Sequence, residues 1–241
     1  MKATKTDALL DLLEIIHKTC IDKAPTHLTY DSKNMQAPYM FSLYSTVVEL
    51  VGDSYQAVKS RKKLASHVLT RALLEAVVEL FNVINSPNYV NIRLKNTVTV
   101  KKKKLKIILE KIPDLFAKME RDPEDVKEIL DKIEKLGNPE VDNPNIRKRF
   151  EDAGMERYYD TAYALLCDYS HHNPSAIINR PIRLKVHDLD ERGIQLIANL
   201  IAGLILKASI AVHEFLKTGQ SNIFEDLRQK WQATLYGTPF E

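Results

Sequence analysis

"GIQLIANLIAGLILKASIAV", residues 193–212, is the stretch whose reading decides the fold. Its run of Leu, Ile, Ala and Val is nearly long enough to cross a bilayer, which takes about 20 apolar residues. Gln195, Asn199, Lys207 and Ser209 interrupt it, and a polar or charged group at bilayer depth is costly. A segment that is apolar on most faces and carries a few polar positions fits the central core helix of a helical protein better. The spacing predicts a helix over 188–217, and no membrane association is expected.

The surrounding composition agrees. The chain has 241 residues, 44% of them hydrophobic, enough to bury a core, and only 7 glycines, fewer than a turn-rich sheet fold would need. Cys20 and Cys167 are the two cysteines, in neither a metal nor a redox spacing, which points to a reducing cytoplasm. The N-terminal apolar run holds Asp7, Asp11 and Glu14 and is not a signal peptide. We expect an all-α, single-domain bundle of about seven to nine helices spanning 1–241, with 88–141 as a basic helical insertion.

Apolar residues recur at helical spacing from Thr6 to about Asp22, from Tyr39 to Val58 and from Arg61 to Ile84. Pro25 and Pro38 punctuate a loop between the first two. Residues 88–120 mix a strand-like "RLKNTVTVKK" with a helical "LKIILEKI", and helix is favoured through most of them. "DPEDVKEILDKIEKLGNP" reads as a short helix, residues 145–154 as another closed by Gly154, and 156–172 as a helix ending on a histidine pair. A final helix covers Ser221 to Leu235.

Charge is uneven under a net of +3: residues 93–118 hold nine basic residues against Glu110 and Asp114, leaving the rest of the chain net acidic. The run Lys101, Lys102, Lys103 and Lys104 is a candidate contact for phosphate, in a nucleic acid or a nucleotide. A solvated helix face is its plainer reading, since no aromatic residues are interleaved for base stacking.

Two constellations carry chemistry. In "SHVLTRALLEAVVELFN" a wheel of 3.6 residues per turn places His67, Glu75 and Asn82 near Arg71, with Glu79 further round and Leu69, Leu73, Val77, Leu80 and Ile84 opposite. This polar stripe is either a solvent-facing i,i+4 ion pair or the wall of an internal cleft. In "YALLCDYSHHNPSA", 163–176, Cys167, Asp168 and His171 share a face, while His172 points about 100° away. A protonated imidazole suits a helix C-terminus, and Asn173 with Pro174 stops the helix, so the pair also has a structural reading.

"TRALLEAVVELFNVI" together with "IRKRFEDAGMERYYDTAYALLCDYSHHNPSAI" resembles an uncharacterised, mostly prokaryotic family of helical proteins. That family's pattern is an Arg, three residues and a Glu in an apolar helix, then a short helix ending in Gly, then a tyrosine-bearing helix closing on His. Arg71 and Glu75 match the first element; Gly154, Tyr159, Tyr163 and His171 match the second. Cys167 stands where the pattern commonly has serine. The resemblance implies a helical fold and no agreed reaction.

Helical ribonuclease toxins of the HEPN type use Arg, four to six residues, then His; Arg61…His67 and Arg180…His187 fit, as chance pairs would in a chain of this composition. Glu14-x-x-His17 and Asp168-x-x-His171 have bundle-metal spacing, but a di-metal site needs two further inward carboxylates and only Glu75 offers itself. No metal and no cofactor are expected.

The leading expectation is a cytoplasmic helical protein of a bacterial stress or phage-defence system, binding or acting on RNA or a nucleotide. Arg71 would hold phosphate, Glu75 would orient it and His171 would exchange a proton, in a ribonuclease-like or phosphate-ester hydrolytic reaction. Tyr159, Tyr163, His172, Asn173 and the lysine run would line the site. A homo-oligomer or an operon-encoded protein is the expected partner. The rival expectation is a non-enzymatic scaffold or protein-interaction module in which the same residues form a structural polar network.

Overall fold

The structure, a computed structural model, describes residues 4–25, 35–97, 100, 144–170 and 188–237. The lysine run 101–104, the helix expected from "DPEDVKEILDKIEKLGNP", Arg180, His187, and His171, His172 and Asn173 lie outside the described residues. The chain divides into two compact units, Met1–Asn85 with Ile146–Glu241, and Ser86–Asn145. Among the described residues every regular element is a helix. They are α1 (Lys5–Asp22), α2 (Gln36–Lys59), α3 (Lys63–Asn85), α4 (87–97, in the second unit), α5 (Ile146–Asp152), α6, α7 (Glu191–Phe215) and α8 (Ser221–Tyr236). α6 is three consecutive segments, Glu156–Tyr158, a π-helical stretch Tyr159–Tyr163, and Ala164–Ser170.

The helix ends follow local chemistry. Thr4 caps α1 through a reciprocal pair: its Oγ1 accepts from Asp7 N at 3.2 Å, and Asp7 Oδ2 accepts from Thr4 N at 2.9 Å. α2 begins before Pro38, where the sequence pattern predicts loop punctuation. The first-turn amides of a helix have no intrahelical acceptor, so a proline there removes nothing. α2 ends through Arg61, whose φ of 58° is left-handed. A non-glycine residue in that region is strained, and here the surroundings hold it. Arg61 O accepts from Leu189 N at 2.9 Å, and Arg61 Nη2 pairs with Glu191 at 2.5 Å. The α2–α3 turn is thereby stapled to the entry of α7. Asp190 caps α7, its Oδ1 accepting from Gly193 N at 2.7 Å.

α7 is the central helix. It packs against α1, α2, α3 and α8, and buries Ile197, Ile201, Leu204, Ile205, Ala208 and Val212. By length and composition it could cross a bilayer; here it forms the middle of the hydrophobic core. Leu9, Leu13 and Ile16 of α1, Val47, Val51 and Val58 of α2, Leu73, Val77 and Leu80 of α3, and Phe224 and Trp231 of α8 close around it.

Ser209 is a fully buried polar residue of that core. Its hydroxyl lies 2.8 Å from Tyr44 Oη and 3.4 Å from Cys20 Sγ, joining α7 to α2 and α1. Burial pushes the Cys20 thiol up to about 11 and the Tyr44 phenol further, so both stay protonated and able to donate. Ser209→Ala is expected to cost about 1–3 kcal/mol in urea unfolding, because it leaves the buried Tyr44 hydroxyl with only the weak Cys20 thiol as partner; adding Tyr44→Phe should recover most of the loss. Additive losses in the double variant would contradict this network.

Candidate functional site

The polar stripe of α3 does not face open solvent. α5 and α6 lie against it, and its members take partners there one turn after another. At the N-terminal end the His67 ring meets the Tyr169 ring, centroids 3.9 Å apart, and His67 Nδ1 lies 2.7 Å from Lys63 O. Burial lowers the His67 pKa more than the Lys63 carbonyl raises it, so a neutral ring is favoured.

Arg71 is the next member. Its Nε donates to Glu75 Oε1 at 2.9 Å and its Nη2 donates to Tyr163 Oη at 3.1 Å. The guanidinium lies 5.2 Å from the centre of the Tyr163 ring. The pair is half-buried: side-chain exposure is 18% for Arg71 and 36% for Glu75. Burial works against the Arg71 charge, but the Tyr163 hydrogen bond, with Cys167 and Glu75 nearby, outweighs it and holds the pKa above its ordinary value. The Tyr163 phenol is pushed up to about 12, by burial first and by the Glu75 carboxylate second. At neutral pH it is a proton-bearing hydroxyl.

Tyr163 reaches Arg71 from the last residue of the π-helical stretch Tyr159–Tyr163. A π turn adds a residue to the helical repeat and rotates the next turn to a new face; such stretches are rare and recur at functional sites. Within it Tyr159 stacks on Tyr163, centroids 5.5 Å apart and planes at 18°. Phe150 of α5 meets both rings, at 5.4 and 5.1 Å. The Arg147 guanidinium lies 5.7 Å from the centre of the Tyr159 ring. α5 ends through Gly154, whose φ of 66° permits the tight turn into α6.

Further along the stripe, Glu79 Oε1 accepts from Arg149 Nη1 at 2.6 Å, with side-chain exposures of 11% and 23%. Asn82 Nδ2 donates to Arg149 O at 2.9 Å, and Asn85 Nδ2 to Asp152 O at 3.3 Å. The helical wheel puts Glu79 at the margin of the stripe and gives Arg149 no role. A signal is present in the chain all the same: "IRKRFED" places Arg149 one residue before a core phenylalanine.

The structure thus brings together Arg71, Glu75 and Tyr163, with Tyr159 behind Tyr163. His171, His172, Asn173 and Lys101–Lys104 fall outside the described residues. The Arg61…His67 spacing joins two residues with separate duties: Arg61 holds the start of α7, and His67 is buried against Tyr169. Glu14 and His17 also diverge. Glu14 accepts from Lys18 at 2.8 Å and from Tyr55 Oη at 2.6 Å, whereas His17 Nε2 lies 3.1 Å from Val48 O. Those hydrogen bonds, Lys18 first, hold the Glu14 carboxyl at about 2.

The arrangement offers a fixed guanidinium with a carboxylate and a neutral phenol beside it, partly open to solvent. Such a set binds an anion and supplies a proton donor; it lacks, among the described residues, a group of three or more metal-ligating side chains. Neither the curated proteins nor the solved structures contain a match to this chain. The model of one family, DUF5677, described as a family of unknown function, matches residues 39–190, which hold the whole Arg71–Glu75–Tyr163 cluster and more than half of the sequence. The chain therefore belongs to the DUF5677 family.

Proposed function

We propose that Arg71, Glu75 and Tyr163 form part of a site for a phosphate-bearing ligand, RNA or a nucleotide, in a cytoplasmic protein of a bacterial stress or phage-defence system. The observation that carries this reading is the π-helical stretch, which aims the Tyr163 hydroxyl at the half-buried Arg71 guanidinium. A phosphate oxygen is a stronger acceptor for a guanidinium than a neutral phenol, so an incoming phosphate displaces Tyr163 from Nη2 and finds the phenolic proton beside it. Glu75 keeps the guanidinium in place from the Nε side. His171 then exchanges a proton with the bound ester, and the Lys101–Lys104 run draws the polyanion in.

Binding of a labelled single-stranded RNA and of a nucleotide panel to the purified chain tests this. Arg71→Lys keeps the charge but not the planar fork, and is expected to weaken binding by about tenfold or more with little change in melting temperature. Tyr163→Phe should weaken it less, by a few-fold. Unchanged binding in folded Arg71→Ala protein would sink the proposal.

The second reading is a scaffold or interaction module with an operon-encoded or second-copy partner. It is favoured by the lower half of the stripe, where Glu79, Asn82 and Asn85 are all committed to α5. There Arg71→Ala lowers the melting temperature by several degrees and touches no ligand.

A further inference from the structure

α7 has a second polar face, away from the Arg71 cluster. It carries Asn199, Gly203 and Lys207 at helical spacing, and it floors a cleft of about 490 Å³ against α8. The walls include Phe81 of α3, Tyr158 of α6, and Trp231 and Leu235 of α8. Lys207 Nζ sits 5.1 Å from the Phe81 ring centre and 5.8 Å from that of Tyr158. Among the described residues no carboxylate lies within ion-pairing distance of it. Two rings therefore hold an ammonium at the floor of the cleft, with no carboxylate paired to it among the described residues.

Gly203 adds an independent observation. A Cβ built on it meets nothing within 4 Å, and its φ is not left-handed. Neither packing nor backbone geometry requires glycine there, and glycine weakens a helix interior relative to alanine. Glycine there leaves the space above it open. That space also borders a neighbouring hollow of about 470 Å³ between α6 and α7, lined by Leu165, Leu196 and Leu200. Leu165 and Leu196 are 43% and 56% exposed, so an apolar track leads outward from the cleft.

We infer that this α7–α8 cleft binds an amphipathic anion: a small molecule with a planar or chain-like apolar body and one carboxylate, sulfonate or phosphate. The anion meets Lys207, the body lies over Gly203 between Tyr158 and Trp231, and an apolar tail runs toward Leu196. The volume suits a ligand site, and the lining is mixed: aromatic and aliphatic walls from Phe81, Tyr158, Trp231 and Leu235, with Gln232 and Arg228 on the α8 side. Of the other charged residues lining the cleft, Glu225 is paired with Arg228 and Glu214 is exposed, leaving Lys207 as the charge held between the rings.

The test uses the full chain and two probes sharing one ring system, anilinonaphthalene sulfonate and uncharged phenylnaphthylamine. Trp231 is the chain's only tryptophan and lines the cleft, so its fluorescence reports occupancy. The sulfonate is expected to bind one saturable site and quench Trp231. Lys207→Met should weaken the sulfonate by about tenfold and leave the uncharged probe within about twofold. Gly203→Leu should abolish both while the melting temperature holds or rises. Absence of saturable binding, equal weakening of both probes by Lys207→Met, or full binding by Gly203→Leu overturns the inference. Should Gly203→Leu misfold, Lys207→Met against the charge-preserving Lys207→Arg decides alone.

Discussion

Glu79→Ala is expected to lower the folding free energy by about 3 kcal/mol, far more than Glu75→Ala, although the two glutamates sit one turn apart on one stripe. The difference is solvent. The Glu79 side chain is 11% exposed and Arg149 23%, against 36% for Glu75. Arg149 Nε is already buried with no hydrogen-bond partner among the described residues, so loss of the Glu79 carboxylate leaves a guanidinium largely enclosed and without its paired charge. Arg71 would stay partly hydrated and hydrogen-bonded to Tyr163, and Glu75→Ala should cost about 1 kcal/mol or less. The double change Glu79→Leu with Arg149→Met removes both charges and keeps the volume; it should recover most of the roughly 3 kcal/mol, because breaking a buried pair costs more than replacing it. Urea unfolding of the three variants decides. A loss below about 1 kcal/mol in Glu79→Ala would mean that water reaches Arg149 and that the lower stripe does not anchor α5.

That contrast also marks what can be read from the chain. The core helix is legible because burial on every side leaves a compositional trace: 193–212 is apolar through four polar interruptions, and the structure uses Ser209 for the contact to Tyr44 and Asn199 for a hydrogen bond from Trp231 Nε1 at 2.9 Å. The stripe is legible as a set of positions, since helical spacing alone puts His67, Arg71, Glu75 and Asn82 on one side. Which of them face solvent is not. The answer depends on α5 and α6, more than sixty residues further along the chain, and spacing within α3 carries no information about what covers it. The π-helical stretch is hidden for another reason. "YYDTAYALL" holds no glycine or proline to mark a break, and a shift of register by one residue is decided by where Tyr163 must land against Arg71 and Phe150. Arg61 shows the same limit from the other side: it reads as a helix start, yet its left-handed φ is held by Leu189 and Glu191, which lie far along the chain.

Phe224→Ala should be the most damaging single truncation in α8, about 3–5 kcal/mol, and should also change how stability responds to acid. Phe224 is fully buried and stacks on His213, ring centroids 4.9 Å apart and planes at 21°. His213 is 1% exposed; its Nδ1 lies 2.7 Å from Thr218 Oγ1, and its Nε2 has no hydrogen-bond partner among the described residues. Tyr44 presents an edge to the same ring. Burial accordingly lowers the His213 pKa, as it does that of His67. The unfolded chain takes up a proton near pH 6.5 that the folded chain refuses, so stability is complete above that pH and falls as the medium is acidified. Each histidine contributes a slope of at most about 1.4 kcal/mol per pH unit. Removing the Phe224 ring opens His213 to water and lets the native state protonate it. The variant should be less stable at every pH, yet lose less on going from about pH 7.5 to about pH 5.5 than the parent does, with His67 supplying what slope remains. Urea titrations at three pH values across that window measure both effects. Parallel curves for parent and variant would show that the His213 site does not exclude the proton, and that the α7–α8 contact is held by apolar packing alone.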